Sequence, residues 1–216
     1  MMKGLVFDLD GVLADTAKYH YIAWKQLAME IGITIDEAFN EQLKGISRQE
    51  SLARILAYGG KSRDFSEEEL TILAENKNRH YVELLEQLTP ADALPGVTRF
   101  LAEARAQNIP CSVASASKNA PFILNKLALD DYFVGVVDPS ALNKGKPHPE
   151  IFVKAAALMR LQPNEVIGFE DAQAGIDGIK ACGMYAVGIG EAGQLKGADR
   201  LISDLTEISI EELISL

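Results

Sequence analysis

The chain has 216 residues, 48% hydrophobic and 24% charged, which are ordinary globular values and enough length for one large domain or a core with a smaller insert. Lys and Arg number 21 against 31 Asp and Glu, a net charge of −10 that argues against a nucleic-acid or anionic-membrane surface but allows a local cationic pocket for a phosphate. The N-terminus carries no secretory pattern and no apolar stretch reaches the length of a bilayer span, so a cytoplasmic protein is expected. Cys111 and Cys182 lie far apart in mainly apolar settings and read as buried thiols, not as a disulfide or a metal site.

Gly4 to Phe7 is a short apolar run that stops at Asp8-Leu9-Asp10-Gly11. Its length and the turn residues after it predict a buried strand. Residues two apart on an extended chain share a side, so Asp8 and Asp10 are expected to face one site at the strand's end. A strand followed by an ordinary Asp-Gly turn is the plainer reading of this motif alone. Next, Thr16, His20 and Trp24 fall on one stripe of a helix that runs towards Gly32, and for Trp24 simple helix packing is the first expectation. Thr34-x-x-Glu37, Ser47-x-x-Glu50 and Ser66-x-x-Glu69 each read as a capping box that opens a helix. Residues 15–88 therefore read as all-helical, with a basic loop, Leu43-Lys44-Gly45-Ile46-Ser47-Arg48, between two helices.

From Pro95 the pattern changes. A helical stripe of Val97, Phe100, Leu101 and Ala104 precedes a strand from Cys111 to Ala114. That strand ends in Ser115-Ala116-Ser117-Lys118-Asn119, whose hydroxyls and free N–H groups before a helix suit either plain capping or a phosphate. Phe133 to Val137 reads as another strand, followed by Lys144-Gly145-Lys146-Pro147 and a helix from Glu150. Val166 to Phe169 is the next strand, ending in Glu170-Asp171 before a helix closed by Gly183. Tyr185 to Ile189 and Arg200 to Ile202 complete the set. Alternation of this kind implies a mainly parallel sheet with helices on both faces, the helical block being inserted after the first strand.

Three strand ends thus deliver Asp8 with Asp10, Ser115, and Glu170 with Asp171, while Lys146 comes from an intervening loop. Parallel sheets bring such ends to one edge. Carboxylates gathered there repel unless they are protonated or hold a cation. Oxygen ligands without His or Cys favour a hard ion, and Mg²⁺ with a substrate phosphate fits best. The arrangement suits phosphoryl transfer, with one carboxylate as nucleophile and a second as proton donor and acceptor.

These four motifs stand in the order and settings of the haloacid dehalogenase-like phosphotransferases, which the chain resembles over nearly its whole length. The resemblance implies an α/β fold: a Rossmann-like three-layer core with a parallel sheet, residues 1–14 and 92–216, and an inserted all-helical cap, residues 15–91. It implies Asp8 as nucleophile and Asp10 as general acid and base, with Ser115 and Lys146 clamping the phosphoryl group. Mg²⁺ would be held by Asp8, the backbone carbonyl of Asp10, Glu170 and Asp171. Within the family the chain is most similar to mutases that interconvert β-D-glucose 1-phosphate and glucose 6-phosphate. By that likeness Arg48 grips the phosphate not being transferred, and Ala116, Ser117, Lys118 and Asn119 contact that phosphate or the sugar. Gly45, Ile46, Ser47 and Ser51, with Lys77 and Trp24, line the cap side, and Thr16 with His20 places Asp10. His148 stands where the family more often has an acidic residue, and it is expected to face solvent.

A fork such as Arg48 is what a mutase needs, because a bisphosphate bound in two orientations requires a second grip. A solvated charge at a helix start is the alternative for Arg48, and an exposed helix residue the alternative for Lys77. Two other functions stay open: a sugar-phosphate phosphatase with the same Asp pair, and a catalytically silent sugar-phosphate-binding module. A small-molecule sugar phosphate is the expected partner, and a monomer the expected state.

Overall fold

A computed structural model describes residues 2–191, 193 and 195–215. Strand β1 (Gly4–Phe7) is buried throughout, as a strand covered on both faces must be. After it come the helices α1 (Ala17–Glu30), α2 (Glu37–Asn40), α3 (Arg48–Tyr58) and α4 (Glu67–Leu85). The chain then alternates: α5 (Val97–Ala106), β2 (Cys111–Val113), α6 (Ala120–Lys126), β3 (Gly135–Val136), α7 (Glu150–Leu158), β4 (Val166–Glu170), α8 (Gln173–Ala181), β5 (Tyr185–Ile189), β6 (Arg200–Ile202) and α9 (Ile210–Ile214). Each strand pairs in parallel with its neighbours, in the order β3-β2-β1-β4-β5-β6. The order reverses between β1 and β4, which is where open sheets of this kind hold their ligands.

Alternation along β1 divides the core into two layers. Leu5 and Phe7 face a cluster that includes Phe100 and Leu101 of α5, Ile123 of α6 and Leu213 of α9. Val6 faces the opposite cluster, with Phe152 and Ala155 of α7 and Ile176 and Ile179 of α8. Phe7 stacks on Phe169 of β4 with ring centroids 4.6 Å apart, which locks the two central strands together. The helical block has its own core, where Trp24, Leu27, Ile35, Phe39, Ile55 and Leu56 meet. Tyr81 and Leu85 of α4 join the sheet's cluster instead and root the block on the strands.

Most expected elements form, and the exceptions have physical causes. The capping box at Thr34 is replaced by Asp36, whose carboxylate accepts from the Phe39 N–H at 2.8 Å and starts α2 two residues later. Ser47 and Ser66 do cap α3 and α4, but only Ser66 with Glu69 closes the box, because the Glu50 carboxylate pairs with Arg54 instead. The strand expected over 133–137 shrinks to β3, because it pairs only with the three-residue β2 and a 3₁₀ turn occupies Asp130–Tyr132 before it. Cys111 is buried, whereas Cys182 is half-buried, and both are free thiols. Among the described residues no helix is long and apolar enough to cross a membrane.

Candidate active site

Asp8 and Ser115 stand just beyond β1 and β2, and Glu170 ends β4 with Asp171 after it, on three adjacent strands of the sheet. Asp8 and Asp10 do not owe their convergence to strand alternation, as the sequence suggested. The strand stops at Phe7, the chain bends at Leu9, and Gly11 takes a left-handed φ of 83°. A side chain at Gly11 would be strained there and would also meet the Asp171 carboxylate, so the turn and the close approach both require glycine.

Lys146 is buried, with its ammonium donating to Asp8 Oδ1 at 2.5 Å and to Glu170 Oε2 at 2.7 Å. Burial alone would push this lysine's pKa down, but the charges of Asp8 and Glu170 outweigh it and hold the group protonated. Asp8, Glu170 and Asp171 each offer a carboxylate oxygen within 4.8 Å of the others. Lys146, with Lys44 3.9 Å from Asp171, does not balance these three carboxylates and the neighbouring Asp10. Burial first, and then the charge of Asp8, raises Glu170 to about 7, and burial with Glu170 raises Asp171 well above the usual range. A buried all-oxygen site with surplus negative charge suits a hard divalent cation, so the donor set fits Mg²⁺. Gly175 leaves the space that Glu170 occupies, since a Cβ there would overlap the Glu170 carboxylate.

The Asp10 carboxylate is turned the other way, towards the helical block. Thr16 Oγ1 donates to Asp10 Oδ1 at 2.5 Å, and the Tyr81 hydroxyl donates to the same oxygen at 3.3 Å. Burial, then the neighbouring Asp8, raises Asp10 to about 6, a value from which it can give or take a proton near neutrality. Lys77 Nζ donates to His20 Nδ1 at 2.7 Å, which leaves the ring proton of a neutral His20 on Nε2, 3.6 Å from Asp10 Oδ1. His20 is kept neutral by burial and by the charges of Lys77 and Arg48. Its ring stacks on Tyr81 at 3.9 Å.

Lys77 is buried, not the exposed helix residue that was its alternative reading. Its ammonium lies 4.6 Å from the Trp24 ring centroid and 4.5 Å from that of Tyr81. Trp24 therefore packs in the helical core, as expected, and also walls the site.

Between the sheet edge and the helical block lies one cavity. Asp8, Asp10 and Asp171 form its floor, and Ala116, Ser117, Lys118 and Asn119 one wall. The opposite side is His20, Trp24, Gly45, Ile46, Ser47, Arg48, Ser51 and Lys77. Thr16, Ser115 and Lys146 sit behind this lining, bonded to it, with Glu170 bonded in turn to Lys146: Ser115 Oγ accepts from the Ser117 N–H at 3.1 Å. Ser47 and Ser51 spend hydrogen bonds on α3, where Ser47 Oγ accepts from the Glu50 N–H and Ser51 Oγ donates to the Ser47 carbonyl. Gly45, with φ of 72°, lays the loop against Ala172 of the core. His148 is exposed, as expected.

Sequence reading did not assign Tyr81, although its spacing of four residues from Lys77 on α4 put it on the same face. It also gave no role to Asn78, which lines the cavity, and placed Lys44 in the basic loop without expecting it to reach within 3.9 Å of Asp171.

The profile of the haloacid dehalogenase-like hydrolases matches residues 2–183. The chain belongs to that family. It is 47% identical over 212 residues to β-phosphoglucomutase of Bacillus subtilis, covering 98% of this chain and 94% of that protein. The crystal structure of a β-phosphoglucomutase from Clostridium difficile superposes with a TM-score of 0.97 at 45% identity, covering 100% of this chain and 96% of the other. A phosphorylated carbohydrates phosphatase of Thermotoga maritima is more distant, 28% identical over 188 residues, or 86% of this chain and 84% of that one. Within the family the likeness is therefore greater to these mutases than to this phosphatase.

Proposed function

We propose that the protein interconverts β-D-glucose 1-phosphate and glucose 6-phosphate through an aspartyl-phosphate on Asp8 and a glucose 1,6-bisphosphate. The observation that most supports this reading is a cavity with Arg48 on its helical side and, behind its floor, Lys146 bonded to Asp8, so that cationic groups stand at two places. A bisphosphate that must be held in either orientation needs both.

In this reading an Asp8 oxygen attacks phosphorus and the bond from phosphorus to the sugar oxygen breaks, with Asp10 giving its proton to that oxygen. In the return step Asp10 takes the proton of the 6-hydroxyl of a β-glucose 1-phosphate as that oxygen attacks the aspartyl-phosphate, and the bond to Asp8 breaks. Lys146 and Ser115 hold the transferring group, while Arg48, Ser117 and Asn119 hold the other phosphate. Thr16 and His20 keep Asp10 aimed. Mg²⁺ bound by Asp8, Asp171 and the Asp10 carbonyl beside Glu170 would neutralise charge on the phosphoryl oxygens. The proposed cap spans residues 15–91 and the core residues 1–14 and 92–216, with the cap excluding water from the aspartyl-phosphate. We place the protein in the cytoplasm as a monomer.

Phosphorus NMR with β-glucose 1-phosphate, Mg²⁺ and a trace of the 1,6-bisphosphate tests the activity. Glucose 6-phosphate with little inorganic phosphate is expected. Accumulating inorganic phosphate would instead make the protein a phosphatase.

A further inference from the structure

Asn78 of α4 sits where the two sides of the cavity meet. Arg48, the first residue of α3, donates from Nη2 to Asn78 Oδ1 at 2.7 Å, and Asn119, which precedes α6 on the sheet side, donates from Nδ2 to the same oxygen at 2.9 Å. One amide oxygen thus holds a donor from the helical block and a donor from the core, and all three residues line the cavity. Both donors, with Ser117, are the groups that the mutase reading uses for the phosphate not being transferred.

The chemistry of this acceptor matters. Its oxygen fixes the plane of the guanidinium and the rotamer of Asn119, as a supporting hydrogen bond does for a binding group. It does so without charge. A carboxylate in the same place would form a charge-assisted pair with Arg48 and leave less of its charge for a phosphate dianion. Arg48 is half-buried and forms no ion pair among the described residues, although the charge of Glu75 reaches it, so most of its pull remains for an anion in a medium that strengthens it.

We propose that Asn78 is a positioning residue for the second-phosphate grip: it orients Arg48 and Asn119 across the boundary between block and core through a neutral acceptor that adds no negative charge beside the guanidinium. This role rests on the mutase reading, and Asn78 acts through Arg48.

Steady-state kinetics on Asn78→Ala and Asn78→Asp test it, with wild type measured alongside. Asn78→Ala should raise KM for β-glucose 1-phosphate and for the 1,6-bisphosphate about tenfold with a smaller change in kcat. Phosphorylation of Asp8 by acetyl phosphate, which carries no second phosphate, should keep its rate. Asn78→Asp retains the acceptor oxygen and nearly the same shape, so it should fold like wild type and yet raise KM further than Asn78→Ala. In an Arg48→Ala background, Asn78→Ala should add less than about twofold, because the two act as one unit. Unchanged KM in both variants, an equal loss with acetyl phosphate, or full additivity with Arg48→Ala would each overturn the role. A wild type that makes no glucose 6-phosphate would remove the mutase reading itself, which this assay reports separately.

Discussion

Lys77 is 3% exposed, and the cage around its ammonium is made of the His20 imidazole and the rings of Trp24 and Tyr81, none of which carries a negative charge. Burial, with the nearby charge of Arg48, lowers its pKa from 10.5 to about 7. Between those values the unfolded chain binds one proton more than the folded one, so stability rises with pH across that window. The penalty is present in full below about pH 7 and fades towards pH 10. Lys77→Met should therefore be more stable than wild type in mildly acid solution, by on the order of 2–4 kcal/mol, with the gain shrinking as pH rises. Urea unfolding of both proteins from about pH 6 to about pH 9 checks this, and a gap that does not change with pH would contradict it. A substrate anion would raise the pKa again, so a cation that costs the free protein stability is ready for the bound one. The sequence left Lys77 between this role and an exposed surface position, because one lysine at one helical spacing does not reveal which face is covered. Arg48 was legible for a better reason: directly after the N-cap Ser47 it opens α3, and a side chain on the first turn of a helix is free to meet a ligand.

At the scale of the element, the strand ends were the most readable part of the chain. β1 and β4 each end in acids, and parallel pairing puts those ends side by side whatever the details of the turns. The turns themselves were less readable. Asp10 reaches the cavity through a bend at Leu9 and the left-handed Gly11, not through strand alternation, and α2 starts at Asp36 because a nearer carboxylate outcompetes Thr34. Tyr81 escaped because its hydroxyl bonds Asp10 across 71 positions of sequence, a pairing that no local pattern records. Helix α8 makes a sharper prediction. Its Gly175 lies directly against the Glu170 carboxylate, with no room for a methyl group. Gly175→Ala should push Glu170 away from Asp8 and Asp171 and weaken Mg²⁺ binding about tenfold, as disturbed supporting shells do. Titration calorimetry with Mg²⁺ on the two proteins measures it, and equal affinity would mean that the carboxylate re-seats without cost.

Over the whole molecule, the sheet edge and the helical block face one cavity, and in the proposed mechanism the sheet supplies the reacting groups while the block selects their acceptor. The sheet side holds Asp8, Lys146, Glu170 and Asp171, and a phosphatase of this family could use the same set. Arg48, Lys77 and the Gly45 loop belong to the block and face the same cavity. If the block selects a sugar over water, Arg48→Ala should lower kcat/KM for mutase turnover by at least about 100-fold. It should leave slow hydrolysis of the aspartyl-phosphate nearly unchanged, so the ratio of inorganic phosphate to glucose 6-phosphate should rise. A parallel loss of both products would place Arg48 in the transfer step instead. The central claim is that the phosphoryl group on Asp8 passes to a sugar hydroxyl. The most direct measurement is a single-turnover experiment in which protein phosphorylated with acetyl phosphate is mixed with β-glucose 1-phosphate and Mg²⁺ and then quenched, with Asp8→Asn as the blank. The phosphoryl group should be recovered on sugar, as bisphosphate and glucose 6-phosphate, and the blank should carry none. Recovery as inorganic phosphate at the same rate with or without the sugar would contradict it.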